Sequence, residues 1–315
     1  MQSLDISILK TVTYFDIFSY PLKQDEIIFF LDKPATNGSI SSSLERLVRA
    51  KLLWKFDNFY SIRNEAELIN RRKDGNALAV LQIKKARKVA RFLSWIPYIR
   101  GIAISGSLSK NFADENSDLD FFIITKANRL WLVRIIYSFI YKIASTLRIK
   151  EWFCLNYFID ELDLEVKEHN IFTAVEISTL MPLRGAKIFD NFFKANKWVH
   201  LFQPNFKPDY NYLQDASPII PKRTIEWMMN AEYGNKLDNK LQTFFKKRFE
   251  RMTIENKQSE KGLTIGAYKA EKHSCKPLPQ YFQPKILTKF YERFKNVEEK
   301  YYQLINKEKA LVQNA

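Results

Sequence analysis

The chain has 315 residues, 46% of them hydrophobic and 27% charged, which is the composition of an ordinary globular protein long enough for two or three domains. Its 50 Lys and Arg exceed its 35 Asp and Glu, which gives a net charge of +15. This charge fits polyanionic partners (nucleic acid, nucleotide phosphates or acidic lipid headgroups) and fits about equally well a basic surface that binds no such partner. The two cysteines form neither a metal-binding pattern nor a disulfide framework, and no secretory signal is recognised at the N-terminus, so we expect a cytoplasmic protein.

Residues 1–65 are predicted to form three short helices followed by a β-hairpin. Apolar residues recur at helical spacing first, and the run LLWKFDNFYSIR then alternates apolar and polar residues around Asp57-Asn58, which indicates a two-residue turn. This order is that of a winged helix-turn-helix. The third helix of such a unit can enter the major groove of DNA, and its exposed face here carries Arg46 and Arg49. A protein-docking or purely structural role fits the same pattern, so both interpretations stay open.

Residues 66–100 are predicted to form a basic connecting helix. Lys84, Arg87, Lys88 and Arg91 recur at positions i, i+3, i+4 and i+7, which places them in one stripe along the helix. The stripe is either a solvated helix face or a contact surface for nucleic acid.

Strands and a helix alternate over residues 101–169, whereas helices dominate residues 170–315. The runs GIAIS and LDFFIIT are predicted strands, an apolar helix follows at about residues 128–147, and a third strand is predicted at residues 153–159. We therefore expect an α+β fold in which a mixed sheet with helices is preceded by the winged-helix unit and followed by a helical domain.

The apolar helix at about residues 128–147 is the most membrane-like segment of the chain. A membrane span needs about 20 largely uncharged residues, and Arg134 and Lys142 interrupt this one. We expect a buried helix and no membrane partner.

Two acidic residues open the second strand of residues 101–169. Asp118 and Asp120 lie at i and i+2, so their carboxylates are predicted to project from the same face. Two carboxylates held this close repel each other unless a proton or a cation lies between them. A pair of hard oxygen ligands suits Mg²⁺, which completes its coordination with water and substrate phosphates.

A Gly-Ser pair ends the preceding strand. Gly106 lets the backbone approach a phosphate closely, and Ser107 offers a hydroxyl at the start of a predicted helix. Together with the two aspartates, this turn is predicted to hold a nucleoside triphosphate.

The spacing of these residues resembles the signature of the nucleotidyltransferase superfamily, which includes DNA polymerase β, poly(A) polymerases and antibiotic nucleotidyltransferases. That signature is Gly-Ser, about ten residues, then two acids separated by one residue, and here Gly106-Ser107 is followed by ten residues and Asp118-Leu-Asp120. The resemblance covers about residues 95–165 and implies that residues 101–169 form the nucleotidyltransferase core.

The resemblance implies Mg²⁺ or Mn²⁺ as cofactor and an NTP as substrate. Asp118 and Asp120 would be metal ligands, and Gly106 and Ser107 would bind the triphosphate. Ser109 and Lys110 follow closely enough to assist.

The sequence departs from the superfamily at the third acid, which a later strand usually supplies. Alternation predicts that Cys154, Asn156, Phe158 and Asp160 share one face of the third strand, and Asn156 occupies the position where an acid is expected. An asparagine can offer oxygen to a metal but cannot act as a base. Asp160 or Glu176 could fill this role, or Asn156 could take a modified one, or the site could bind nucleotide without efficient turnover.

Two functions follow from these alternatives. The first is a magnesium-dependent enzyme that transfers NMP from an NTP to RNA, a small molecule or a protein side chain. The second is a DNA- or partner-binding regulator whose nucleotidyltransferase domain senses nucleotide without catalysis.

Overall fold

The structure is a computed structural model that describes residues 2–115, 117–213, 232–259, 268–276 and 282–313, together with residues 222, 224, 226 and 227. The helices are α1 Gln2–Asp16, α2 Gln24–Phe30, α3 Asn37–Arg49, α4 Glu67–Leu93, α5 Leu130–Thr146, α6 Ile171–Ser178, α7 Ala186–Ala195, α8 Glu232–Ser259 and α9 Phe282–Gln313. The strands are β1 Leu22–Lys23, β2 Trp54–Phe56, β3 Phe59–Ser61, β4 Ile99–Ile104, β5 Asp120–Thr125, β6 Cys154–Asp160, β7 Met181–Arg184, β8 Lys269–Ala270 and β9 Ser274–Lys276.

The N-terminal unit combines α1, α2 and α3 with a small antiparallel sheet in the order β1-β3-β2. The hairpin predicted around Asp57-Asn58 is present, with Phe56 paired to Phe59 across the turn. Asp57 has a left-handed backbone (φ 52°), a conformation that aspartate tolerates better than most residues. Strand β1 is not visible in the sequence pattern, because two residues are too few to show alternation.

Helix α9 completes the core of this unit from the other end of the chain. Its Phe290 and Tyr301 are buried in one cluster with Ile8 and Val12 of α1. Its Arg293 also pairs with the carboxylate of the buried Asp16. The apolar face of α1 is therefore covered by a distant segment as well as by its neighbours in sequence.

The described strands of the central sheet run in the order β7-β4-β5-β6-β9-β8. Strands β5 and β6 are parallel, and the other pairs are antiparallel. A mixed sheet packed with helices confirms the predicted α+β class.

Helices cover both faces of this sheet. Strand β5 sends Phe121 and Ile123 into a core shared with α4, α5 and α8, and it sends Phe122 and Ile124 into a core shared with α6 and α7. Because side chains alternate along a strand, Asp120 belongs to the same face as Phe122, the face covered by α6.

The sheet continues past residue 169, where the sequence predicts the end of the core. Strand β7 pairs with β4, and the β8–β9 hairpin extends the sheet beside β6. In its described part, the region of residues 170–315 therefore contributes strands β7, β8 and β9 to the central sheet in addition to its helices. Part of the region, including residues 214–221 and 260–267, lies outside the described residues.

Two further expectations concern helices. The helix predicted after Ser107 is a single 3₁₀ turn, Leu108–Lys110, which ends at Asn111 in a left-handed conformation (φ 55°). The apolar helix near residues 128–147 is present as α5. Along the described part of the chain, no helix combines the length and the apolar character that crossing a membrane requires.

Candidate active site

The turn after β4 brings the backbone of Gly106 against the carboxylate of Asp120. Gly106 has a positive φ of 69°, and a Cβ built there would overlap Oδ2 of Asp120 and lie 3.1 Å from its Cγ. The backbone N–H of Ser105 also donates to the carbonyl of Asp120 at 2.9 Å. Glycine is therefore required at this position for two reasons, the left-handed backbone and the close approach.

Asp120 is the central acid of the site. Its carboxylate accepts a hydrogen bond from the side chain of Asn156 and lies beside the thiol of Cys154, which donates to Oδ1 of Asn156 at 3.1 Å. Burial raises the pKa of Asp120 most, and the negative charges of Asp118 and Glu176 raise it further. Hydrogen bonding lowers it, and the resulting pKa is about 6. The ionised form of this carboxylate is thus disfavoured by its surroundings, and a cation would relieve that cost.

Asp118 lies just before β5 and is exposed. Partial burial and the charge of Glu151 raise its pKa, and Lys150 opposes them. The strand begins at Asp120 and not at Leu119 as predicted, but Asp118 still lies close enough for its charge to raise the pKa of Asp120. The structure therefore brings the two acids together.

A bulge in β6 determines which side chains reach Asp120. Asp120 pairs with Cys154 and Phe121 with Leu155, but Phe122 pairs with Tyr157, so Asn156 is an extra residue in the ladder. The extra residue reverses the alternation beyond it.

The predicted shared face of β6 is therefore wrong. Cys154 and Asn156 lie beside the carboxylate of Asp120, whereas Phe158 packs in the core on the α5 side of the sheet. Asp160 pairs with Thr125 at the far end of the strand, about 20 Å along β6 from Cys154. It is buried there and hydrogen-bonded to Nδ1 of His273 at 2.8 Å. Asp160 lies outside this site.

Glu176, the other candidate for the third acid, reaches the site from α6. Its Oε1 accepts a hydrogen bond from Nζ of Lys110 at 2.8 Å, and the same Nζ donates to the carbonyl of Gly106 at 3.0 Å. The ion pair is mostly buried, with the side chains of Lys110 and Glu176 14% and 29% exposed. Lys110 is therefore bound to Glu176 and to the turn.

The two serines of the turn differ in their surroundings. Ser109 is buried, and its hydroxyl donates to the carbonyl of Gly106 at 2.8 Å and lies 3.2 Å from Oγ1 of Thr179. Ser107 is exposed at the beginning of the 3₁₀ turn. Ser107 can thus meet a ligand, whereas Ser109 holds the turn together.

A cavity of about 240 Å³ adjoins these residues between the sheet and α6. Gly106, Asn156 and Glu176 line its polar end, and Lys276 of β9 adds a cation. Most of the remaining lining is apolar. Lys276 could not be identified from the sequence because the segment around it shows no periodic pattern, and Cys154 could not because a lone cysteine carries no signature.

The donor set around Asp120 fits a magnesium ion that is shared with a substrate. Among the described residues, no group of three or more His, Cys, Asp or Glu could hold a metal by itself. Mg²⁺ is commonly bound by one or two carboxylates plus substrate phosphates, and Asp118 and Asp120 supply that number beside the Gly106 turn.

The predicted nucleic-acid contacts lie elsewhere. Arg46 forms an ion pair with Asp5, whose carboxylate accepts hydrogen bonds from Nε at 2.9 Å and from Nη2 at 2.6 Å. Arg49, in contrast, is exposed. Lys84, Lys88 and Arg91 of α4 are exposed and Arg87 is half-buried. Helix α4 packs on the sheet face opposite to that of Asp120.

Comparison with protein families matches residues 86–176 to the nucleotidyltransferase domain. Comparisons with curated proteins and with solved structures gave no match. The matched segment runs from α4 to α6 and contains the turn at Gly106, both acids, Asn156 and Glu176. Residues 86–176 of this chain are therefore similar to a nucleotidyltransferase domain.

Proposed function

We propose that this chain is a magnesium-dependent nucleotidyltransferase that transfers NMP from an NTP to an acceptor hydroxyl. The observation that carries the proposal is the contact between the Gly106 turn and Asp120, with Asp118 beside it. A turn that can approach phosphates is thus held directly against a pair of metal-binding acids.

The residues of the chain divide the work of binding and orientation. The Gly106 turn and the Ser107 hydroxyl would hold the β- and γ-phosphates, and Asp118 and Asp120 would hold Mg²⁺ (or Mn²⁺). Asn156 holds the carboxylate of Asp120 by a hydrogen bond, and the thiol of Cys154 donates to Oδ1 of Asn156. The metal, when bound, would neutralise charge on the phosphate oxygens that changes during transfer.

The transfer balances without another reactant. The acceptor oxygen forms a bond to the α-phosphorus, and the bond from that phosphorus to the bridging oxygen breaks. Pyrophosphate leaves with the electron pair, and the hydroxyl proton passes to solvent. In the apolar cavity beside Gly106, the nucleoside would be kept away from competing water.

Labelled transfer tests this function. The purified chain is incubated with each α-³²P-labelled NTP, Mg²⁺ or Mn²⁺ and a cell extract as the source of acceptor. We expect a labelled product that disappears in Asp118→Asn and Asp120→Asn but persists in Asp114→Asn, a matched control whose exposed carboxylate pairs with Arg71. No label from any NTP, or equal label in all three variants, would overturn the proposal.

A nucleotide-sensing regulator is the second candidate. It is favoured by Asn156 at the position of the usual third acid and by the pairing of Glu176 with Lys110. A winged-helix N-terminal unit that contacts DNA or a partner would suit this role, with Arg49, Lys84 and Lys88 as exposed cations. This candidate requires NTP binding that depends on Asp120, measured by calorimetry, without transfer to any acceptor.

A further inference from the structure

A second and larger cavity, of about 680 Å³, lies between α5 and α8. Its inner end is formed by Cys154, Leu155 and Asn156 at the beginning of β6. Asn156 also lines the cavity beside Gly106. The two cavities therefore share Asn156, whose side chain hydrogen-bonds to Asp120.

The larger cavity is electropositive. Arg134 and Lys142 of α5 and Arg248 of α8 line it, and none of the lining residues that the structure describes is Asp or Glu. Three cations without a described acid in one cavity favour an anionic ligand, because each carries a charge that the cavity itself does not neutralise.

Arg134 is held in place with unused hydrogen-bonding capacity. Its guanidinium carbon lies 5.2 Å from the centre of the Tyr137 ring and 5.4 Å from that of Phe245. Its Nη1 donates to Ser138, whereas its buried Nε finds no acceptor among the described residues. A buried donor without a partner is costly and points to an absent acceptor such as a phosphate oxygen.

Aromatic side chains form much of the remaining wall. Tyr141 is 40% exposed, and the ring centres of Tyr268 and Phe249 lie 5.5 Å apart. An exposed aromatic ring such as that of Tyr141, beside cations, is suited to a planar base next to a phosphate.

We propose that this cavity binds the acceptor of the transfer reaction, and that the acceptor is nucleotide-like, with a phosphate and a planar base. The inference rests on the proposed function and adds the acceptor's chemical class. An acceptor in this cavity would approach Asp120 past Cys154 and Asn156. Such an acceptor is either a free nucleotide or the end of an RNA chain.

Binding of two probes tests the inference on the full chain. The probes are 5′-AMP and a 12-nucleotide single-stranded RNA, titrated by calorimetry in the presence of Mg²⁺ and a saturating α,β-methylene NTP, which occupies the proposed nucleotide site. We expect at least one probe to bind, and Lys142→Glu with Arg248→Glu to weaken it at least tenfold. The same double variant should bind the NTP analogue within twofold of the unaltered chain. Binding of 5′-AMP indicates a free nucleotide, and binding of RNA alone indicates a chain end.

Lys240→Glu is the matched control, because Lys240 is exposed on α8 and does not line the cavity. It should leave the affinity for both probes within twofold. If neither probe binds, or if the double variant binds them as tightly as the control, the inference is overturned. The proposed function still stands in that case, provided that the chain binds the NTP analogue and that this binding depends on Asp120. If the NTP analogue itself does not bind, the proposed function fails first, and the acceptor role fails with it.

Discussion

Gly106 packs directly against Asp120, since a single added methyl group at Gly106 would occupy the space of Oδ2 of Asp120. The backbone at Gly106 is also left-handed, with φ 69°. The sequence signature and the packing thus require glycine for the same reason: the turn must reach the carboxylate.

Gly106→Ala should therefore abolish magnesium-dependent NTP binding and lower the free energy of unfolding by at least about 2 kcal/mol, because it adds both backbone strain and overlap. Gly38→Ala in α3 is the control, since nothing lies within 4 Å of a Cβ there. It should change stability by less than about 1 kcal/mol. Calorimetry and urea unfolding measure the two effects, and unaltered NTP affinity in Gly106→Ala would contradict the assigned contact.

Asp120→Asn should stabilise the metal-free protein at pH 7.5. The pKa of Asp120 is raised from 3.8 to about 6, so the folded protein binds this proton more tightly than the unfolded chain. The ionised carboxylate then destabilises the fold above about pH 6, and the cost vanishes as the pH falls below the unfolded value. Discounted for partial exposure, the gain in the free energy of unfolding is on the order of 1 to 2 kcal/mol at pH 7.5 and near zero at pH 3.5. Urea unfolding at both pH values measures it, and an equal effect at the two values would show another cause.

Glu176→Gln should strengthen magnesium-free NTP binding several-fold. The substitution releases Lys110 from its 2.8 Å ion pair and removes one of the charges that raise the pKa of Asp120. Lys110→Ala should have the opposite effect, and Lys167→Ala, which removes a more exposed ion pair, should have none. If Glu176→Gln instead weakens magnesium-dependent binding tenfold or more, Glu176 is a metal ligand.

Asn156→Asp should make the stability of the protein depend on magnesium. A third carboxylate beside Asp120 repels it in the metal-free protein, so the midpoint of thermal unfolding should fall, and added Mg²⁺ should restore it. Asn156→Ala removes the hydrogen bond to Asp120 without adding a charge. It should also lower the midpoint, but magnesium should not rescue it beyond the shift seen in the unaltered chain.

Arg46→Ala should destabilise the N-terminal unit, whereas Arg49→Ala should not. The carboxylate of Asp5 is only 3% exposed and receives two hydrogen bonds from Arg46, so removing this partner leaves a buried charge. Because Arg46 itself is partly exposed, we expect a loss of about 1 to 3 kcal/mol in the free energy of unfolding, against less than about 0.5 kcal/mol for Arg49→Ala. A mobility shift with DNA that is lost in Arg49→Ala, at unchanged stability, would then identify a true nucleic-acid contact. Equal stability of the two variants would mean that the Asp5 pair is unimportant.

Local sequence patterns were sufficient to predict strands β4 and β5 and the turn at Gly106-Ser107 that follows β4. The runs GIAIS and LDFFIIT became β4 and β5 with errors of one or two residues, because strand alternation and the turn residues that end it are properties of neighbouring positions. The same is true of the hairpin at Asp57-Asn58. Patterns of this kind cannot show where α9 or the β8–β9 hairpin pack, since short or amphipathic segments fit several surfaces equally well.

The sequence by itself determined the chemistry available at this site: two acids separated by one residue, a Gly-Ser turn ten residues earlier, and asparagine where a third acid is usual. Only the tertiary structure decided which side chains meet. One extra residue in β6 turns Phe158 and Asp160 away from the face of Cys154, the length of the strand places Asp160 at its far end, and α6 brings Glu176 to Lys110. The reason is physical. Alternation is local, but the register of paired strands and the docking of helices are fixed by the burial of the whole sheet, which no short stretch of sequence encodes.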